Sequence, residues 1–419
     1  MRIRTIPGSR RGLRRRSAAG IVSILAAGAL VACSNILSVD YPGRIPTQQL
    51  GDPTLAPTLV GGVIGDTECA YNNYFSGSSV HSDEYETANS NVPLANWGER
   101  TITADESDYV SGTCSATFGM QVTLHTARFQ SENVFKQLQG WTDTQVPNRA
   151  SLMAQTLAYG GFAYTLMGEG FCSVAFDGGP IQPPSAALMI AEKRFSDAIT
   201  QAQAAGNTDI LNMAQAGLAR VELDLKKYVE AAAAAQLVPA DYVKLADRGT
   251  EGPRRWNTMY RLAVTVAAYT VATAYRTMND PRVPVVDAGR GAFNSEVRLW
   301  IQTKYTSLAS PIRLASYREA QLVLAVALVQ QGQVDAGMAI INARRTGLGL
   351  TSLTVTGKAD AILQIIEERR RELSFEGGHR LNDLLRYQIP WKVGSNPFTN
   401  RSYGTTTCWP HPTIEVSGK

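Results

Sequence analysis

Two groups of carboxylates lie close enough along the chain to act as pairs: Asp83, Glu84 and Glu86, and Glu372, Glu376 and Asp383. Two acids facing each other across a bond are what glycoside hydrolysis requires. The second group, however, sits among Arg369, Arg370, Arg371, Arg380 and Arg386. Glu367 precedes Arg371 by one helical turn, the spacing of an intrahelical ion pair. Glu376 and Arg380 are spaced to pair across the break at Gly377-Gly378. Charge runs of this kind usually form ion pairs on a helix surface, so the segment reads as structural and no catalytic residue is expected.

The remaining reactive side chains point the same way. The histidines His81, His125, His379 and His411 show no H-x-x-x-H pairing or other ligand spacing, and no CxxC occurs, so neither a metal nor another cofactor is expected. No phosphate loop of the G-x-x-x-x-G-K-[ST] kind and no G-x-S-x-G nucleophile elbow appears. Binding is better provided for than catalysis. Sugars stack their CH faces on flat aromatic rings flanked by amides and charges. The stretch from Tyr71 to Arg100 supplies Tyr71, Tyr74, Phe75, Asn96, Trp97 and Arg100, which we take as the candidate ligand-binding residues. Trp256, Asn257 and Tyr260 form a second candidate, while Trp391 and Trp409 are expected to pack the C-terminal tail.

Positioning these groups takes a folded body, and the composition allows one. Charged residues make up 18% and hydrophobic residues 44% of 419, which excludes disorder. The net charge of +4 comes from the leader: residues 1–32 hold seven arginines and no acid. Removing those seven from the 40 Lys and Arg leaves 33 basic against 36 acidic side chains, so the rest of the chain has no positive field for nucleic acid.

Those arginines lead into an apolar run, Ala18 to Ala32, too short for a comfortable membrane span and of the length of a secretory h-region. It ends in Leu30-Val31-Ala32-Cys33, a lipobox-like sequence that would place a lipid on Cys33. Ser9-Arg10-Arg11-Gly12-Leu13 also fits a twin-arginine signal, so the export route stays open. With Cys33 lipidated, Cys69, Cys114, Cys172 and Cys408 remain, an even number compatible with two disulfides in any of three pairings. A bridge to Cys408 would tie the tail back onto the body.

The elements follow. Pro42, Pro46, Pro53 and Pro57 make residues 34–59 a tether, and residues 66–115 read as irregular loops with a short helix near Thr101 to Val110. From about Ala116 helical periodicity takes over: residues 118–138, 150–167, 186–204, 212–226, 228–236, 257–275, 316–331, 335–343 and 358–371. Small residues recur at helix crossings, as with Ala214, Gly217 and Ala219, or Ala320, Ala325 and Ala327. Helices meet at short breaks such as Leu225-Lys226-Lys227-Tyr228 and Gln330-Gln331-Gly332-Gln333. Small-at-contact helix hairpins of this size resemble tetratricopeptide repeats. The expected fold is therefore mainly α, with degenerate tetratricopeptide-like repeats and a loop-rich irregular portion.

Three stretches carry a more specific resemblance: Ser316-Tyr317-Arg318-Glu319-Ala320, Ile341-Asn342-Ala343-Arg344-Arg345, and Glu368 to Arg386. The last is similar to the pattern E-R-R-x-E-L-x-x-E-G-x-R-x-x-D-L-x-R, with Gly378 as one added residue. Together with the leader, they resemble the SusD/RagB family of outer-membrane nutrient-binding lipoproteins. The resemblance implies a non-enzymatic surface protein that captures oligosaccharide or peptide and hands it to a SusC-like TonB-dependent transporter in the outer membrane. On this reading residues 1–32 are a lipoprotein signal peptide, 33–60 an anchored tether, and 61–419 a single domain with its signature at 367–386. The competing reading is a tetratricopeptide-like envelope scaffold that binds proteins and no nutrient.

Overall fold

The structure is a computed structural model and describes residues 49–114 and 118–413, so the signal peptide, the twin-arginine pattern and Cys33 lie outside it. The first helix, α1 (Ala56–His81), falls where the sequence suggested tether and loop. Its Pro57 occupies the first helical turn, where a missing N–H removes no hydrogen bond, and a 3-10 turn at Pro53–Leu55 leads into it. The expected tether therefore gives way to helical structure from Pro53, and irregular loop between residues 66 and 115 is confined to the part beyond His81. The missing signal was amphipathicity. Every residue from Thr67 to Ser82 is buried, so polar and apolar side chains alternate around α1 without defining a face.

Buried polar groups on α1 are satisfied by partners far away in sequence. Asn72 donates to Thr258 Oγ1 at 2.8 Å and accepts from Thr258 N at 3.0 Å. Asn73 donates to Gly119 O at 2.9 Å. After α1 come β1 (Tyr85–Thr87), α2 (Val92–Gly98) and α3 (Ser107–Val110). The long helices are α4 (Gln121–Gly140), α5 (Arg149–Gly170), α6 (Ser185–Ala205) and α7 (Thr208–Asp224), followed by α8 (Tyr228–Gln236).

Consecutive members of this series pack side by side, and glycines set how closely. Phe195 of α6 is fully buried against Gly161 of α5 and Gly217 of α7. A Cβ at Gly161 would stand 2.8 Å from the Phe195 ring, and one at Gly217 2.4 Å. One ring thus fills the space two absent side chains leave, and three helices lock at a single point.

The single helix expected over residues 257–275 is broken. Its span holds α9 (Thr258–Tyr260), a π-turn (Arg261–Thr265), β3 (Tyr269–Val271) and α10 (Thr273–Arg276). Val264, Thr265, Val266, Thr270 and Val271 are β-branched and favour extended backbone, and Ala267 takes a positive φ of 56°. β3 pairs antiparallel with β1, placing Glu86 opposite Thr270. β2 (Val243–Ala246) pairs with β6 (Ile312–Ser316), and β4 (Val285–Gly291) with β5 (Arg298–Gln302), both antiparallel.

The chain closes with α11 (Tyr317–Gln330), α12 (Val334–Thr346), α13 (Lys358–Glu372) and α14 (His379–Arg386). Ser316 caps α11 by accepting from Glu319 N at 3.2 Å. The described residues are mainly helical, with helix hairpins in series and, among them, three short two-stranded sheets in the irregular part. Two disulfides, Cys69–Cys114 and Cys172–Cys408, staple it. The second draws the tail onto the end of α5, where Trp409 N donates to Gly170 O and Cys172 N to Trp409 O, both at 2.9 Å. Among the described residues, no helix is long and apolar enough to cross a membrane.

Candidate ligand-binding site

Four of the six residues singled out for binding are core residues. Tyr71, Tyr74 and Phe75 on α1 have no exposed surface, and Trp97 on α2 has 1%. Their rings pack against other rings: Tyr74 edge-on to Trp409 at 5.0 Å, Phe75 to Tyr305 at 5.4 Å, Trp97 to Phe118 at 5.0 Å. None of these four offers a face to a sugar in this conformation. Trp409 is buried as expected of a tail anchor.

Asn96, on α2, is half-buried, and Arg100, two residues beyond the helix, is 5% exposed but sets its guanidinium against two rings. The Arg100 guanidinium lies 5.1 Å from the ring centroid of Trp391 and 5.8 Å from that of Tyr403, and it donates to the Lys392 carbonyl. Tyr403 donates from its hydroxyl to Glu86 Oε2 at 2.6 Å, and Lys392 Nζ meets Glu86 Oε1 at 2.9 Å. Arg401 reaches back to Asn96 Oδ1 and Glu99 Oε2, each at 2.9 Å. Across β1 and β3, the Trp300 ring on β5 carries the Arg276 guanidinium at 5.5 Å. Trp391, Tyr403 and Trp300 are each half-buried, and a cation stands over each ring.

The electrostatics fit a polar ligand. Burial and the neighbouring Glu86 carboxylate push the Tyr403 hydroxyl well above its ordinary range, which keeps it a donor. Burial lowers the Arg100 and Arg276 guanidinium values, but an arginine stays charged at any ordinary pH. Half-exposed rings bordered by fixed donors and one carboxylate make a surface that stacks on a pyranose and hydrogen-bonds its hydroxyls. The sequence singled out Asn96 and Arg100 for binding, Glu86 only as one of an acidic group and Trp391 only as packing, and it gave no signal for Lys392, Tyr403, Trp300 or Arg276. Half the patch rides on a tail brought in by Cys172–Cys408, a pairing the sequence left open.

The second sequence candidate lies apart from this patch. Asn257 is fully buried and caps α9 by accepting from Tyr260 N at 2.9 Å. Trp256 is half-buried, with the Arg261 guanidinium 5.9 Å from its ring.

The carboxylates are each committed to protein partners. Asp83 takes both oxygens to Arg380 at 2.7 and 2.6 Å, and this guanidinium overcomes burial to hold the Asp83 carboxyl below its usual range. Burial pushes Glu84 up to about 7, against the pull of the Phe375 N–H it accepts at 2.5 Å. Glu372 pairs with Arg344 at 2.8 Å and Asp383 with Arg369 at 3.0 Å. Glu367 and Arg371 make the helical pair their spacing suggests, at 3.3 Å.

The expected pair Glu376–Arg380 does not form. Glu376 binds Lys304 and Arg313, both at 2.9 Å, while Arg380 goes to Asp83. Positive φ at Phe375, Gly377 and Gly378 turns the chain so that the two side chains leave the break in different directions. Around the same turn, Arg220 of α7 donates to both Glu169 oxygens at 2.6 Å and to Gly377 O at 3.1 Å. The segment 367–386 is thus a hub that binds α5, α7 and the ends of α1 and β6. Among the described residues no group of His, Cys, Asp and Glu is arranged to hold a metal.

A scan of protein-family models and a search of curated proteins match nothing. Solved structures do match. A SusD homolog from Bacteroides thetaiotaomicron aligns with a TM-score of 0.68 at 14% identity, over 89% of this chain and 97% of its own. A laminarin-binding SusD-like protein aligns at 0.64 and 16% identity, over 87% and 97%. A SusD-like carbohydrate-binding protein from Bacteroides vulgatus aligns at 0.61 and 15%, over 81% and 84%. The helical hairpins, the hub at 367–386 and these alignments along most of the chain give one conclusion: this protein has the SusD-like fold.

Proposed function

We propose that this protein is a SusD/RagB-type glycan-binding lipoprotein of the cell surface. It has no catalytic role and passes an oligosaccharide to a SusC-like TonB-dependent transporter. The observation that carries the reading is the patch of Trp391, Tyr403 and Trp300 bordered by Arg100, Lys392, Arg276 and Glu86, on a fold shared with laminarin-binding and other carbohydrate-binding proteins. Half-buried aromatic rings beside fixed hydrogen-bond donors favour a saccharide over a peptide as ligand. The commitment of each candidate carboxylate to an arginine, a lysine or a backbone N–H supports the non-catalytic reading.

Calorimetry of the mature chain against neutral oligosaccharides, laminarin fragments included, tests the site. Binding that weakens about tenfold in Trp391→Ala supports it, since one stacked aromatic contributes about 0.5–1.5 kcal/mol beyond the area it buries. Protein partners without saccharide binding would instead favour a tetratricopeptide-like scaffold. Anchoring through Cys33 is tested separately: Cys33→Ala releases the protein from membranes, and unchanged association would contradict the anchor.

A further inference from the structure

A cleft of about 510 Å³, lined by none of the patch residues, opens between α11, α12 and α13 and adjoins a hollow of about 400 Å³ beside β2 and β6. The two share Arg282, Arg344 and Glu372 as lining. Their charged lining is unbalanced: Arg282, Lys304, Arg313, Arg318 and Arg344 against Glu368, Glu372 and Glu376. The three carboxylates are already occupied. Glu368 pairs with Arg282 at 2.7 Å and Arg345 at 2.6 Å, Glu372 with Arg344 at 2.8 Å, and Glu376 with Lys304 and Arg313 at 2.9 Å.

Donors are left over. Arg344 engages Glu372 through Nε and Nη2, and Arg313 engages Glu376 through Nη1 alone. Arg318 makes no ion pair or side-chain hydrogen bond among the described residues; its guanidinium is held 5.6 Å from the centroid of the half-buried Tyr317 ring. An arginine set against an aromatic ring inside a cleft keeps its planar fork free for a bidentate acceptor. The rest of the wall is apolar, with Leu322, Ala339 and Ile340. The volume lies in the range that takes a small ligand of one or two sugar rings.

We infer that this cleft is an anion subsite that takes the carboxylate of a uronic-acid residue, with Arg318 as the principal donor and Tyr317 and Leu322 against the ring. The carboxylate is preferred to a phosphate because the site offers one uncommitted guanidinium charge, which matches a monoanion better than a phosphate of nearly two charges. This deepens the glycan-binding reading and rests on it for the ligand class, but it uses residues remote in sequence from Trp391 and Tyr403.

The test is calorimetry of the mature chain with trimers of galacturonate, glucuronate and mannuronate, at low and high salt. The subsite predicts that at least one trimer binds, that binding weakens with salt, and that Arg318→Gln weakens it about tenfold or more. Arg318→Lys, which keeps the charge but loses the fork, is expected to fall between. No binding by any of the three trimers, or binding that Arg318→Gln does not alter, overturns the inference. Neutral oligosaccharide binding that is lost in Trp391→Ala stands independently of either result.

Discussion

Glu84 shows how a single buried group leaves a signature in solution. Its carboxyl is fully buried beside Asp83, and burial raises it from an ordinary 4.5 to about 7. An acid with a raised value holds more protons folded than unfolded between those limits, so stability falls as pH rises from 4.5 to 7. Glu84→Gln keeps an oxygen for the Phe375 N–H and removes the ionisation. Unfolding by urea across pH 5 to 8 should therefore find the variant's profile flatter, and at pH 8 the variant more stable by up to roughly 3 kcal/mol. An unchanged pH slope would refute the burial of a titrating Glu84. In the sequence Asp83, Glu84 and Glu86 looked like one acidic group. The structure separates them to Arg380, to Phe375 N, and to Lys392 with Tyr403, because only the fold decides which cation lies near each acid.

Among elements, the turn between α13 and α14 is a tight joint. Gly378 has φ +76° and faces α1 so closely that an added Cβ would lie 2.3 Å from Tyr74 Cε1. Gly378→Ala would combine left-handed backbone strain with overpacking, a loss of about 3 kcal/mol. Gly394→Ala is the control: φ is +83°, but nothing lies within 4 Å of the added atom, so about 1 kcal/mol is expected. Thermal melts that rank the two equally would remove the argument from contact with Tyr74. Helices α4, α6, α12 and α13 were legible because each buries one face at a 3.6-residue spacing, and α5, α7 and α11, buried nearly all round, because their runs are rich in helix-forming Ala and Leu. The first helix was not, because Thr67 to Ser82 carry no periodic stripe and include Asn72, Asn73, Ser76, Gly77, Ser78 and Ser79, residue types that favour turns. The break at residues 261–271 was missed for the opposite reason: apolar spacing looked helical while β-branched residues favoured the strand that pairs with β1. At 367–386 the helical pair Glu367–Arg371 could be read from spacing, but the long-range partners Asp83, Lys304 and Arg313 could not.

At the scale of the whole molecule, the candidate site depends on closing a large loop. Cys172 and Cys408 are 236 residues apart in sequence, and their bridge with the buried Trp409 fixes the tail that carries Trp391, Lys392, Arg401 and Tyr403. The same tail meets α2 and β1, which supply Arg100 and Glu86. A sequence gives the number of cysteines but not their partners, and this alone hid half of the patch. The helical hairpins form the scaffold, and the irregular strands and tail present the side chains.

The most direct test of the account is therefore calorimetry of the mature chain with neutral oligosaccharides, comparing the native protein, Trp391→Ala, and the double variant Cys172→Ser with Cys408→Ser. The account predicts saccharide binding by the native protein, a loss of about tenfold in Trp391→Ala, and a similar or larger loss in the double variant while helical circular dichroism is retained. Saccharide binding of equal strength in all three proteins, or none by the native protein, would contradict it.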